Sequence, residues 1–346
     1  MKTFTVSLEN RQTEIIIDKS AHFSGLKLNP ENSLLVTDDT MCKSAAARSF
    51  TEAGITTVVL GSGERFKTLS SIETIAEAAV HKGLDRGAVI IGLGGGVICD
   101  MAAFAASVYM RGCGLILVPT SLLAMVDASI GGKSGVDFLE RKNLIGSFYP
   151  AQKVLIYTDF LLTLSDDEFK SGLAELIKHG FLAGDELLRY IEENRAAITA
   201  REPDASIDAV YRSLRVKAEH IEKDFRETGI RAHLNLGHTF GHALETAAGL
   251  GKFTHGEAVA WGIYRAMKAG LILGITDLSY AERVETILRD YSYNIDFNDF
   301  DSELYLQAIS SDKKKKDGKL RFILQHSAGN TEILPLDPAI VEEVIK

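Results

Sequence analysis

Between residues 33 and 120, short apolar runs alternate with stretches of helical periodicity. SLLVTDD (33–39), TTVVLG (56–61), AVIIGL (88–93) and GLILVPT (114–120) each read as a buried strand, and the segments 40–53, 70–83 and 97–110 between them read as helices. Strands joined by helical crossovers of this length lie parallel, in a sheet with helices on both faces. Such sheets hold ligands beyond the carboxyl ends of their strands. Asp38, the turn from Gly61 to Lys67, Gly94 to Gly96 and Thr120 all fall at those ends. Ahead of this unit, FTVSL and TEIIID read as two strands joined by a polar turn around Glu9 to Gln12.

Near residue 160 the pattern changes. From Asp166 to about Lys316 the periodicity is almost wholly helical, over 166–180, 184–195, 203–226, 236–248, 255–273, 280–292 and 302–311. LRFILQ (320–325) and TEILPL (331–336) read as a late β pair, and 338–346 as a closing helix. The expectation is an α/β N-terminal domain over 1–163, a mainly α-helical C-terminal domain over 164–346, and a cleft between them.

Composition narrows the function classes. The chain has 346 residues and a net charge of −9, which argues against a broad nucleic-acid surface. No apolar run reaches the length of a membrane span, and the start MKTFTVSLENRQTE is too polar for a signal peptide. Cys42, Cys99 and Cys113 show no C-x-x-C spacing, which fits reduced thiols in a cytoplasm.

Several stretches carry chemistry. IIGLGGGVICD reads as strand, glycine turn and helix, where backbone N–H groups and the positive end of a helix suit a phosphate. It departs from G-x-G-x-x-G, since Val97 stands at the third glycine position. The Gly61 to Lys67 turn suits the same dinucleotide, and Asp38 suits a ribose hydroxyl pair. PTSLLAMVDASIGGKSGVDFLERKN reads as a polar, glycine-rich loop carrying Asp127, Lys133, Lys142 and Asn143. Any one of these lysines is, on its own, a solvated charge. GLAELIKHG sets Glu175 and Lys178 on one helical face, either as an ion pair or as a metal ligand beside a substrate-binding lysine. Five of the nine histidines lie between His220 and His255. His238 and His242 are four apart on a helix, so their imidazoles share a face and suit a zinc ion with a third ligand elsewhere. A histidine pair of this spacing also serves as ordinary core hydrogen bonding.

GLGGGVICD, YMRG, VPTSLLAMVDASIGGKSGV, KNLIG, GLAELIKHG, RAHLNLGHTFGHALE and HGEAV, in this order and spacing, resemble the 3-dehydroquinate synthase family of sugar phosphate cyclases from about Asp38 to Arg321. The resemblance implies an NAD-binding α/β domain, a helical domain and a homodimer. It implies conversion of 3-deoxy-D-arabino-heptulosonate 7-phosphate to 3-dehydroquinate and phosphate, in the shikimate route to aromatic amino acids. The family reaction runs through transient oxidation by NAD at C5, loss of phosphate, return of the hydride, ring opening and an internal aldol closure.

By the same resemblance the metal, zinc or cobalt, falls to Glu175, His238 and His255, while His242 becomes a catalytic or supporting group. NAD contacts fall to Asp38, Glu64, Lys67, Gly95, Gly96, Val97, Asp100, Thr120, Ser121, Lys142 and the segment Phe160 to Thr163. Substrate contacts fall to Arg111, Asp127, Lys133, Asn143, Lys178, Lys217, Arg231, Asn235, His242 and one lysine of the run 313–316, with Lys314 preferred. Lys133 also borders the cofactor, and Glu227 positions a lysine. A substrate carrying a carboxylate and a phosphate explains a cationic cleft in an acidic protein. GVDFLERKN, Cys99 and Ser121 depart from the family pattern in ways that touch loop shape and cofactor fit. The rival readings are a sibling cyclase making an inosose or a valiolone, a metal-dependent polyol dehydrogenase, and an inactive NAD-binding protein.

Overall fold

The computed structural model describes residues 1–346 except 24, 140, 250, 312–314 and 317–318. β1 (Lys2–Leu8) and β2 (Arg11–Asp18) form the opening hairpin, with Glu9 in the left-handed region at its turn. β3 (Ser33–Asp38), α1 (Ala45–Glu52), β4 (Thr56–Leu60), α2 (Leu69–Lys82), β5 (Val89–Gly94), α3 (Gly96–Val108) and β6 (Gly114–Pro119) then alternate as the apolar runs require. β7 (Lys133–Phe138) and β8 (Arg141–Phe148) make a separate hairpin, and β9 (Lys153–Tyr157) returns to the main sheet. The seven strands of that sheet run in the order β1-β2-β9-β6-β5-β3-β4, and every pair except β1 with β2 is parallel.

The order matters for function. β3 lies between β4 and β5, so the chain steps outward to β4 and then crosses back to β5. The connections therefore leave β3 and β5 in opposite directions, and a crevice opens between their carboxyl ends. Asp38 closes β3 and Gly94 closes β5, which sets both at that crevice.

The helical part comprises α4 (Asp166–Ala183), α5 (Asp185–Glu193), α6 (Arg195–Thr199), α7 (Pro203–Lys223), α8 (His238–Ala248), α9 (His255–Ile272), α10 (Leu278–Asp290) and α11 (Ser302–Ser311). β10 (Lys315–Lys316), β11 (Lys319–Ser327) and β12 (Asn330–Pro335) form a three-stranded sheet, and α12 (Pro338–Ile345) ends the chain. α4 is the central element, buried on almost every face from Phe169 to Leu182. A helix that is apolar all round belongs inside a core, and the charged residues it carries there need a reason.

Two expectations change, and one strand carried none. The helix expected over 40–53 is a 3₁₀ turn at Met41–Lys43 followed by α1, because the Ser44 hydroxyl accepts the Ala47 N–H at 3.1 Å and starts a new helix. The loop expected after Thr120 is a π-helical turn at Ala124–Ala128 followed by the β7–β8 hairpin. β8 is mostly exposed, so no apolar face in the sequence announces it; the ladder and the facing pair Gly135 and Gly146 hold it. KVLIY, which carried no expectation, is β9.

Candidate active site

Two helix starts and the middle of α4 meet at one point. His238 opens α8 and His255 opens α9. Gly237, the cap of α8, has φ of 79°, and a Cβ there would lie 2.7 Å from the Val259 carbonyl, so only glycine lets α8 begin this close to α9. Gly256 packs α9 onto α4 in the same way, and its N–H donates to Ser171 Oγ at 3.1 Å. These two close approaches bring His238 Nε2 and His255 Nε2 each to 3.5 Å from Glu175 Oε1. Ligand atoms of Glu175, His238 and His255 all lie within 4.8 Å of one another.

The residues fit a metal ion. Glu175 is 1% exposed, its second oxygen pairs with Lys178, and neither oxygen finds a donor in hydrogen-bonding geometry. A buried carboxylate aimed at two imidazole nitrogens is the mixed donor set that suits zinc or cobalt. Burial opposes a proton on His255, yet Glu175 and Glu245 outweigh it and lift the imidazole to about 9. The cluster thus attracts a cation, and a metal would displace that proton. His242 lies outside this set: it is exposed, and it groups instead with Glu245 and His255.

Asp127 links the cluster to a cavity of about 530 Å³ lined by Asp100, Asp127, Ile130, Lys133, Asn143, Phe148, Lys217 and Arg231, among others. The π-helical turn carries Asp127, and Lys217 Nζ donates to its carboxylate and carbonyl oxygens, both at 2.5 Å. Burial would raise the Asp127 carboxyl, but Lys217 and Lys178 hold it far below the usual range. Lys133 pairs with Glu227, which also accepts from Asn235 Nδ2 at 2.6 Å. Arg231 is buried and donates to the Phe225 carbonyl and, at 3.1 Å, to the Gly131 carbonyl. Lysines and an arginine from β7, α7 and the segment before α8 therefore face one space, although they are far apart in sequence.

From the side of the sheet, Asp100 of α3 and Asn143 of β8 line the cavity. Gly95 caps α3 with no side-chain hydrogen bond at that end. The Gly94 carbonyl accepts the Thr120 N–H at 2.9 Å, which ties the ends of β5 and β6 together. Lys67 is buried, pairs with Asp100 at 2.6 Å and donates to Asn143 Oδ1 at 2.5 Å. Burial raises the Asp100 carboxyl to about 6 against the pull of Lys67. Asp38 Oδ1 accepts from the N–H groups of Thr40 and Met41, at 3.0 and 2.7 Å. Ser121 caps the following turn through Ala124 at 3.2 Å, and Glu64 lies in the turn ahead of Lys67. Phe160 is buried, and the Thr163 hydroxyl donates to its carbonyl at 2.7 Å. Val97 follows Gly96 in the first turn of α3, and Lys142 is exposed on β8.

One expected residue stands apart. Arg111 is exposed on a turn where Met110 and Arg111 both have positive φ, and it does not line the cavity. Lys314 lies outside the described residues. Conversely, His179 carried no expectation: it is fully buried, bonds Ser213 Oγ through Nδ1 at 2.7 Å, and lies within 4.8 Å of Asp127 and Glu175. Glu245 was missed too, though its position seven residues after His238 sets it on the same helical stripe.

Two family models cover much of the chain: 3-dehydroquinate synthase N-terminal over residues 57–171 and 3-dehydroquinate synthase C-terminal over residues 172–315. A 3-dehydroquinate synthase of Methylococcus capsulatus is 40% identical over 343 residues, which are 96% of this chain and 95% of the relative. The chloroplastic 3-dehydroquinate synthase of Solanum lycopersicum is 43% identical over 278 residues; the match takes in 80% of this chain and 63% of the plant protein, so the chain spans under two thirds of that relative. Among solved structures, a 2-epi-5-epi-valiolone synthase from Streptomyces hygroscopicus with NAD+ and Zn2+ bound has a TM-score of 0.87 over 98% of this chain and 97% of that one, at 24% identity.

Proposed function

The chain belongs to the 3-dehydroquinate synthase family, and from that premise we infer that it converts 3-deoxy-D-arabino-heptulosonate 7-phosphate to 3-dehydroquinate and phosphate. The observation that carries the reading is a metal-type donor set of Glu175, His238 and His255 linked through Asp127 to a cavity whose lining joins Asp100 and Asn143 to Lys133, Lys217 and Arg231. When bound, NAD would supply a reversible hydride acceptor, and zinc or cobalt a Lewis acid for the hydroxyl being oxidised.

The protein's own residues hold and orient the substrate. Glu175, His238 and His255 are assigned the metal. Asp38, Glu64, Lys67, Gly95, Gly96, Val97, Asp100, Thr120, Ser121, Lys142, Phe160 and Thr163 are assigned NAD, with its pyrophosphate at the start of α3. Lys133, Lys178, Lys217 and Arg231 are assigned the anionic groups of the substrate, where fixed cations stabilise the departing phosphate at little reorganisation cost. Asp127, held ionised beside Lys217, and Glu227, beside Lys133 and Asn235, fix those lysines in place. Asn143 and His242 complete the contacts, and Arg111 and Lys314 rest on sequence resemblance alone.

The reading takes residues 1–163 and 164–346 as two domains closing on the cleft, the enzyme as a phosphate-eliminating lyase, the assembly as a homodimer and the compartment as the cytoplasm. Among the described residues no helix is long and apolar enough to cross a membrane. Phosphate release from the heptulosonate, with no net NADH formed and with loss of turnover on chelation, tests the function. Net NADH formation would mean a dehydrogenase, and turnover of a different sugar phosphate in place of this one a sibling cyclase.

A further inference from the structure

The His255 ring carries a carboxylate at each nitrogen. Nε2 faces Glu175 at 3.5 Å, and Nδ1 faces Glu245 Oε2 at 3.9 Å. Glu245 lies on the stripe of α8 that already presents His238 and His242, and the ring centroids of those two histidines lie 5.3 and 6.0 Å from that of His255. The Glu245 side chain is 20% exposed, so its charge is largely enclosed within this group.

A neutral imidazole has one N–H and one lone pair, and a metal can take only the lone pair. If Nε2 is to meet a metal at Glu175, the proton must sit on Nδ1, and Nδ1 points at Glu245. We propose that Glu245 is a positioning residue that fixes the tautomer and orientation of His255 and so sets the metal affinity of the Glu175, His238 and His255 cluster. A carboxylate accepting from the far nitrogen of a metal-binding histidine also raises the basicity of the near one. The α9 cap supports the arrangement from the other side: the Thr254 hydroxyl accepts the Glu257 N–H at 3.3 Å, Glu257 returns to the Thr254 N–H at 3.0 Å, and the backbone of His255 is held between them. Backbone and ring of His255 are thus fixed by different carboxylates, Glu257 and Glu245.

The inference rests on the reading of Glu175, His238 and His255 as metal ligands. The test titrates zinc-loaded full-length protein with a chromophoric chelator, for the wild type, Glu245→Ala, Glu245→Gln and His238→Ala, and records the visible spectrum of each after loading with cobalt. Glu245→Ala is expected to weaken zinc binding about 10- to 100-fold and to alter the cobalt bands. Glu245→Gln keeps an acceptor oxygen without the charge and is expected to fall between the alanine variant and the wild type. NAD affinity, read separately, is expected to stay within twofold in both. Should Glu245→Ala fail to fold, Glu245→Gln carries the test. Zinc affinity and cobalt bands unchanged in the folded variants would overturn the proposal while His238→Ala still lost the metal. Metal binding untouched in His238→Ala would overturn the ligand reading itself.

Discussion

At the sheet edge, the groups offered to a ligand are mostly backbone: the N–H groups at the start of α3 behind Gly95, and the turn after β4. On the helical side they are buried charged side chains, Glu175, Lys178, Lys217 and Arg231. Backbone groups come with the fold, because a helix always leaves its first N–H groups unpaired. Buried charges have to be held by partners, and here Glu175 pairs with Lys178 and Lys217 with Asp127, while Arg231 is held by the Phe225 and Gly131 carbonyls. The edge should therefore tolerate change that leaves its shape intact, whereas a single substitution in the opposite wall disturbs metal, substrate and stability together.

Glu175 offers the sharpest way to break that contrast. Glu175→Gln is expected to lose the metal and to lower kcat/KM by about 1,000-fold or more, ~4 kcal/mol. It also leaves Lys178 buried without its directly paired carboxylate, a loss of about 3–5 kcal/mol of stability. Chelation of the wild type should reproduce the first effect and not the second. Steady-state kinetics and thermal unfolding on the same samples separate the two, and a variant that keeps both its metal and its melting temperature would end the argument for this wall.

Lys133 is the more exposed cation lining the cavity, paired with Glu227. Its fold contribution is small, as for most exposed pairs. Lys133→Ala is nonetheless expected to lower kcat/KM at least ~100-fold, about 2.7 kcal/mol of transition-state stabilisation, with the melting temperature unchanged. A change under about twofold would mark it as a loop charge.

The difference between the two regions also explains what the sequence reveals. Apolar runs ending at Asp38, Gly94 and Thr120 are local patterns, so the sheet edge is legible residue by residue. The opposite wall is assembled from α4, α7, α8 and α9, and local spacing pointed to His238 with His242 where the structure joins His238 with His255. Only long-range convergence distinguishes those pairings, and the family resemblance supplied it. His179 left no mark because its partner Ser213 comes from another segment, and Glu245, though on the stripe of His238, meets His255 only through the packing of α8 on α9. The β7–β8 hairpin escaped for a different reason: its ladder carries almost no buried face for a pattern to reveal.

Two neighbouring glycines test the backbone side. A Cβ on Gly94 would lie 2.7 Å from Ile98 side-chain atoms, whereas one on Gly95 would meet only Ser121 Oγ, at 3.7 Å. Gly95 also has φ of −71°, which any residue adopts. Gly95→Val should therefore fold normally and weaken NAD binding about 30-fold, ~2 kcal/mol, while Gly94→Ala should lower the melting temperature. NAD titration by calorimetry checks this, and normal affinity in Gly95→Val would move the phosphate cradle elsewhere.

The smallest effect concerns His179, at the back of the charged wall. Burial, then Lys178, pushes its imidazole down to about 3, against the pull of Glu175 and Asp127. In the unfolded chain the same group titrates near 6.5. At pH 7.5 both states hold it neutral and it contributes nothing to pH dependence. As the pH falls through 6.5 the unfolded chain takes a proton that the folded chain refuses, so stability falls with pH, by about 1.4 kcal/mol per unit. Between pH 7.5 and 5.5 this one group should cost about 1.4 kcal/mol, well before most carboxylates titrate. His179→Asn keeps a polar partner for Ser213 and removes the titration. Its denaturant midpoint should thus change less over that window than that of the wild type, even if it is lower throughout. Equal slopes in the two proteins would mean that His179 is protonated inside the fold, and that the wall tolerates one more cation than its burial suggests.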